Sequence, residues 1–374
     1  MAERYIGLMS GTSMDGIDAV LVMIDGDALR VEAALCHPWP EETARELHEL
    51  CTPGDNEIDR MGVADKQVAE EFAAATHALL AKAGLTPADI RAIGSHGQTI
   101  RHRPQLGFTL QIGNAALLAA LTGIDVIADF RTMDMALGGQ GAPLVPAFHQ
   151  ALFAKPGALR VVLNLGGIAN ISVLPGNAGG VYGFDTGPAN TLLDGWYRRH
   201  QPHGGNYDAG GKWAASGQLI PDLLGKLLAH PYFTAPAPKS TGREMFTLAW
   251  LDGELAGSAY APVDVQRTLQ ALTCHSIARQ LPDRPEAVGA SQPKAELFVC
   301  GGGAHNAPLL QELASLLPHW RIASTAELGL APDWVEGAAF AWLAMCFIHR
   351  KPGNLPAVTG ASRPAVLGAL YPAG

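Results

Sequence analysis

Twice in this chain an apolar run ends in a glycine-rich turn and resumes at once as a second apolar run. Tyr5–Met9 leads into Ser10-Gly11-Thr12-Ser13-Met14-Asp15-Gly16, and Ile17–Ile24 follows. Arg160–Leu165 leads into Gly166-Gly167, and Ile168–Leu174 follows. Two runs of strand-forming residues joined by such a turn predict a β-hairpin. The shared layout points to two related domains, although no fixed-period repeat is present. Short strands are also predicted at Arg91–Ile93, Asp125–Ala128 and Glu296–Val299, the last running into Cys300-Gly301-Gly302-Gly303. Between the strands, Ala64–Ala83, Asn114–Leu121, Ala307–Leu317 and Val335–Arg350 have helical composition or spacing. Strands alternating with helices give an α/β chain, and 374 residues suit two or three domains at about 150 each. Gly138-Gly139-Gln140-Gly141-Ala142-Pro143 supplies a flexible connection and places the break near residues 131–145.

Composition narrows the function. Hydrophobic residues make up 48% and charged ones 16%, enough apolar material for a sizeable core. Lys and Arg total 26 against 35 Asp and Glu, a net charge of −9 without a basic run, so neither nucleic acid nor an anionic membrane is an expected partner. A small anion is still compatible, since backbone N–H groups bind phosphate whatever the global charge. The five cysteines form no C-x-x-C pair, which speaks against a disulfide framework or a zinc ribbon. The N-terminal residues lack a signal-peptide layout, and the apolar stretch Gly337–Ile348 is too short for a bilayer, so a cytoplasmic protein is expected. The P-loop, the G-x-G-x-x-G dinucleotide turn, the G-x-S-x-G elbow and H-E-x-x-H are all missing.

Three glycine turns follow apolar strands: Ser10–Gly16, Gly166–Asn170 and Gly301–Asn306. Each is either a tight turn or a loop whose converging N–H groups hold phosphate. Beside the first, Asp15 or Asp18 can hold Mg²⁺ through water. Gly183-Phe184-Asp185-Thr186-Gly187-Pro188-Ala189-Asn190 carries one acid between glycines, ahead of a helix starting near Thr191. Asp185 is either a general base or, like Asn190, a helix cap. Ser95-His96-Gly97-Gln98-Thr99 suits a hydroxyl-rich ligand, with a structural histidine as the alternative. Arg131 clamps an anion or pairs with Asp129 or Asp134. Lys239-Ser240-Thr241-Gly242-Arg243-Glu244, flanked by prolines, reads as a solvated surface loop or a functional one.

Taken together, M-S-G-T-S-M-D-G-I-D, G-S-H-G-Q-T, D-F-R, Q-G-A-P-L-V-P, N-L-G-G-I-A-N, F-D-T-G-P-A-N, K-S-T-G-R-E and C-G-G-G-A-x-N occur in this order from Ile6 to about Leu343. In that combination the chain resembles the anhydro-N-acetylmuramic acid kinases, which belong to the acetate and sugar kinase, heat-shock chaperone and actin superfamily. The resemblance implies two ribonuclease-H-like domains with an interdomain nucleotide and sugar cleft. Residues 1–135 with about 345–374 would form the first domain, and 136–344 the second. It further implies ATP binding by Gly11, Thr12, Ser13, Met14, Asp15, Gly16, Ile17 and Asp18, by Gly166, Gly167 and Asn170, and by Gly301, Gly302, Gly303 and Asn306. Asp185 falls on the catalytic aspartate, and His96, Gln98, Arg131 and Glu336 on the sugar side. The implied reaction converts 1,6-anhydro-N-acetylmuramate, ATP and water into N-acetylmuramate 6-phosphate and ADP, with Mg²⁺ expected and no metal ligands assigned. A homodimer is the commonest assembly for such enzymes. Another amino-sugar or hexose kinase, or a non-catalytic nucleotide switch, would use the same scaffold.

Overall fold

A computed structural model describes residues 2–11, 14–176, 179–237, 239–241, 245–282 and 295–374. The chain divides into two compact units, Met1–Leu152 with Trp334–Gly374, and Phe153–Asp333. Among the described residues no helix is long and apolar enough to cross a membrane.

The first unit is built on a six-stranded sheet. Strands β1 (Glu3–Met9), β2 (Ile17–Asp25) and β3 (Ala28–His37) form an antiparallel meander, with Met9 opposite Asp18 and Asp18 opposite Cys36. On the other side of β1, β4 (Ala92–Ser95) pairs parallel, pairing Gly7 with Gly94. A separate hairpin, β5 (Gln98–Arg103) and β6 (Phe108–Ile112), follows. Strand β7 (Val126–Ala128) extends the sheet parallel to β4, and the strand Ala369–Tyr371 closes that edge antiparallel.

Alternation along β1 sends its residues to opposite faces. Ile6 and Leu8 point into a core shared with Val68, Phe72 and Leu79 of the helix Glu57–Ala83. Each of these side chains is fully buried, and burying one contributes about 1.5–3 kcal/mol. Gly7 points the other way, where the helix Val335–Ile348 lies directly on the sheet. A Cβ at Gly7 would overlap the Gly337 carbonyl oxygen and stand 2.7 Å from the Ala341 nitrogen, and one at Gly94 would stand 2.8 Å from the Phe340 carbonyl carbon. Only glycine at both positions admits backbone-to-backbone contact at this depth.

The second unit repeats the strand order. Strands β8 (Arg160–Leu165), β9 (Ile168–Leu174) and β10 (Tyr182–Pro188) form an antiparallel meander, and β11 (Ala295–Cys300) and β12 (Trp320–Ser324) extend it parallel on the far side of β8. In each sheet the third, second, first, fourth and fifth principal strands lie side by side in that order, and the glycine turn follows the first. The core of this unit joins Val161, Leu163 and Leu165 to Leu192 and Trp196 of the helix Asn190–His200 and to Leu269 and Leu272 of the helix Pro262–Ala278.

Residues 182–188 differ from the sequence expectation. They are the strand β10, with a register shift between Asp185 and Gly187, where no strand was expected. The helix begins at Asn190 with Ala189 as its cap residue, so neither Asp185 nor Asn190 caps it. Cross-strand pairing with β9 overrides the glycines and proline that give this segment its loop-like composition.

Candidate active site

In the first unit the turn after β1 starts at Ser10, whose buried Oγ accepts a 3.1 Å hydrogen bond from Trp39 Nε1. Met14 takes a left-handed backbone (φ 55°), and its N–H donates to the Gly11 carbonyl at 3.1 Å. The side chains of Met14 and Ile17 belong to the core, so these residues offer a ligand their backbone only. Asp15 is exposed, and Asp18 is half-buried at the start of β2. Gly16 lies close against Cys36 Sγ. Thr12 and Ser13 lie outside the described residues.

The four sugar-side candidates come from three places in the chain. His96 and Gln98 follow β4, Arg131 follows β7, and Glu336 lies in the first turn of the helix Val335–Ile348. Arg131 Nη2 donates to His96 Nε2 at 2.9 Å, and its Nη1 donates to the Gly141 carbonyl at 2.7 Å. Arg131 therefore hydrogen-bonds neither of the two aspartates considered as its partners. A guanidinium has only donors, so His96 accepts at Nε2 and carries its proton on Nδ1. Burial, with the Arg131 charge second, holds the His96 ring well below the ordinary histidine pKa, which keeps it neutral. Burial lowers Arg131 to about 10, opposed by the charges of Glu336 and Asp134, and it stays cationic at neutral pH. His96 also packs on Phe340 with ring centroids 4.7 Å apart. Gln98 Nε2 donates to the Gly11 carbonyl at 3.4 Å, tying this cluster to the glycine turn. Ser95 Oγ, Gln98 Oε1 and Arg131 Nε are buried without a hydrogen-bond partner among the described residues. Such groups cost free energy unless something polar meets them.

In the second unit the register sets Asp185 on β10 opposite Asn170 on β9, Asn170 opposite Asn164 on β8, and Asn164 opposite Cys300 on β11. A polar row thus crosses the sheet at the end where its glycine turns lie. The Gly166 carbonyl accepts from Asn190 N–H at 3.1 Å, and the Gly167 carbonyl accepts from Ala189 and Thr191 N–H at 3.0 Å each. Gly301 (φ 78°) and Gly303 press against Asn164 and Leu165, with no room for a Cβ at either. Asn306 caps the helix Ala307–Leu316, its Oδ1 accepting from Leu309 N–H at 3.1 Å. Gly302 begins the short turn between them.

Asp185 is framed by a distant segment. Its N–H donates to the Lys239 carbonyl at 3.2 Å, its Oδ2 accepts from Thr241 N–H at 2.9 Å, and its carbonyl accepts from the Tyr232 hydroxyl at 2.7 Å. Lys239 Nζ donates to the Tyr232 carbonyl at 2.8 Å and lies 4.7 Å from the Tyr232 ring centroid. Burial pushes the Asp185 carboxyl up to about 6, with the Thr241 N–H pulling the other way. Such a carboxylate is ionised at neutral pH yet basic enough to take a proton. Sequence reading attached no role to Tyr232 or Thr241. Thr241 stood in a motif already singled out, whereas Tyr232 carried no signal. Lys239 and Thr241 are half-buried, which removes the solvated-loop reading for them; Gly242, Arg243 and Glu244 lie outside the described residues.

A family model described as Anhydro-N-acetylmuramic acid kinase matches residues 3–373. The anhydro-N-acetylmuramic acid kinase of Shewanella loihica is 56% identical over 371 residues, spanning 98% of this chain and 98% of its own. That of Shewanella oneidensis is 55% identical over 372 residues, spanning 99% and 98%. Among solved structures, component A of the (R)-2-hydroxyglutaryl-CoA dehydratase of Acidaminococcus fermentans is similar at a TM-score of 0.43 and 10% identity, over 91% of this chain and 96% of that one.

Proposed function

The chain belongs to the anhydro-N-acetylmuramic acid kinase family, and from that membership we propose how its residues carry out the reaction. It is a kinase that acts on anhydro-N-acetylmuramic acid with ATP as co-substrate, in peptidoglycan recycling. Asp185 takes a proton from water, whose oxygen attacks the anomeric carbon as the bond from that carbon to O6 breaks. O6 accepts the γ-phosphoryl group, ADP leaves, and the product is N-acetylmuramate 6-phosphate. The hydrolytic half follows the logic of an inverting glycosidase. Phosphoryl transfer to O6 takes the place of the general acid, so one carboxylate suffices. The observation that carries this reading is Asp185 itself, a half-buried carboxylate raised to about 6, held at Oδ2 by Thr241 N–H and at its backbone by Lys239 and Tyr232, opposite Asn170 in the sheet.

The glycine turns Gly11–Asp18, Gly166–Asn170 and Gly301–Asn306 bind ATP, the first two around its phosphates and the last around adenosine. His96, Gln98, Arg131 and Glu336 meet the sugar, whose hydroxyls answer the unmet polar atoms of that cluster. Among the described residues no three His, Cys, Asp or Glu side chains gather into a metal cage. The donors beside the first turn are Asp15 and Asp18, a set that fits Mg²⁺ arriving with its phosphates and keeping several waters. Bound there, the ion would neutralise charge on the transferring phosphoryl group. Both units are read as ribonuclease-H-like, which the strand order common to the two sheets supports.

Turnover of 1,6-anhydro-N-acetylmuramate in ¹⁸O-water, followed by ADP release and mass spectrometry of the sugar phosphate, tests the chemistry. One heavy oxygen at the anomeric position is expected. Unlabelled product from a reducing sugar would mean plain hydroxyl phosphorylation. ATP turnover that no sugar stimulates would indicate a nucleotide switch.

A further inference from the structure

We propose that Asp134 is a positioning residue for the Arg131–His96 pair, a role that rests on the reading above of that pair as sugar-facing. Asp134 is completely buried, and nothing in the chemistry just described uses it. Its carboxylate is shared between two segments. Oδ1 accepts from Asn354 Nδ2 and from Thr359 Oγ1, both at 2.7 Å, while Oδ2 accepts from Gly141 N–H at 2.8 Å. The same Gly141 presents its carbonyl to Arg131 Nη1 at 2.7 Å, and Arg131 Nη2 meets His96 Nε2 at 2.9 Å. Asp134 is therefore linked through the backbone of one residue, Gly141, held on its N–H and presenting its carbonyl, to the guanidinium and on to the imidazole. The link also gives the Q-G-A-P-L-V-P segment a task, since Gly141 belongs to it. Without the anchor on its N–H, Gly141 is free to turn its carbonyl away. Arg131 then loses one of its two fixed contacts, and His96 loses the partner that sets its tautomer.

The geometry singles out a selective variant. Asn354 Oδ1 accepts from Ala365 N–H at 2.7 Å, which fixes the Asn354 amide with its NH₂ toward Asp134. In Asp134→Asn the one remaining acceptor oxygen is drawn to the two donors of Asn354 and Thr359. The new NH₂ then faces Gly141 N–H, donor against donor. The C-terminal link survives while the Gly141 link breaks. Thr359→Val does the reverse, removing a C-terminal donor and leaving Gly141 held.

The test is ¹⁵N NMR of histidine-labelled protein without ligand, with the His96 ring assigned by a His96→Gln spectrum, together with KM for sugar and for ATP. In the native protein His96 shows an unprotonated Nε2 and a protonated Nδ1. In Asp134→Asn the two nitrogen shifts converge as tautomers mix, KM for the sugar rises at least about tenfold, and KM for ATP stays within about twofold, consistent with loss of one positioned hydrogen bond. Thr359→Val lowers the melting temperature and leaves the His96 shifts and sugar KM as they were. Unchanged His96 shifts in Asp134→Asn overturn the proposal, as does an equal change in Thr359→Val. Shifts that converge while the sugar KM stays constant uphold the positioning role and overturn the sugar-facing reading of the pair. If Asp134→Asn yields no soluble protein, Asp134→Ser, which leaves space for water at the C-terminal donors, takes its place with the same readouts.

Discussion

Replacing Asp185 by asparagine should stabilise the folded protein at neutral pH while abolishing most turnover. Burial moves this carboxyl from the ordinary 3.8 to about 6, and at about 1.4 kcal/mol per pH unit that is a cost of about 3 kcal/mol for keeping it ionised in the fold. Residual contact with solvent screens part of this, leaving about 1–3 kcal/mol. The sign follows from proton binding. Below about pH 4 the group is protonated in both states and the cost vanishes. Between about 4 and 6 the unfolded chain releases the proton that the folded chain retains, so stability falls as pH rises through this window. Above it the cost is constant. Asparagine never ionises, and its side-chain oxygen still accepts from Thr241 N–H. At pH 7.5 the variant should therefore melt a few degrees higher than the native protein, at about 2–4 °C per kcal/mol for a unit of this size. At about pH 3, below both pKa values, the two should coincide. Loss of a general base costs about 10²–10⁴ in rate. Calorimetry at the two pH values and a coupled ADP assay measure all three quantities. A variant that is destabilised equally at both pH values, or that keeps turnover within tenfold, refutes the reasoning.

Two further outcomes follow from packing and capping. Gly94→Ala places a methyl where Phe340 backbone already sits, and since overpacking costs about 1–3 kcal/mol or more when backbone must move, a melting temperature within 2 °C of native would contradict the described contact. Asn306→Ala removes the cap of the helix Ala307–Leu316 and should cost about 1 kcal/mol while raising KM for ATP more than KM for sugar. Urea titration and steady-state kinetics measure the two effects, and a selective rise in the sugar KM would go against the adenosine placement of Gly301–Asn306.

The strands legible in the sequence were those that carry their own signal. Arg160–Leu165 and Ile168–Leu174 are buried apolar runs closed by glycine, and the structure gives them those same limits. Ala28–His37 contains Ala, Leu, Arg and Glu, which suit a helix at least as well, and becomes a strand because β2 presents an open edge to it. Residues 182–188 were hidden for a similar reason, since their strand character comes from pairing with β9 and not from their own composition. The residues around the candidate base were legible as motifs but not as neighbours. Asp185 and Thr241 are 56 positions apart, and no local pattern announces that a backbone N–H so far along the chain will meet a given carboxylate. Pairing with the nearby acids Asp129 and Asp134 was one of the two options for Arg131, whereas its hydrogen bonds go to a carbonyl and an imidazole. Charge suggests a partner, but the fold of residues 138–141 decides it.

The helix that seats on Gly7 and Gly94 is translated only after the whole of Phe153–Asp333. At about 5–20 residues per second the ribosome needs roughly 10–40 s to make that intervening unit. During this time β1, β2 and β4 emerge with one sheet face uncovered, while the second unit, continuous in sequence, has everything it needs to fold. Synthesis thus imposes an order in which the inner unit closes first and the outer one waits for its own last segment. At the two backbone-tight glycines the waiting face is shallow, with Val20 beside them as the side chain that meets the helix. A nascent chain holding such a face open for tens of seconds offers a chaperone or a neighbouring chain less apolar surface to grip than a leucine-studded sheet would.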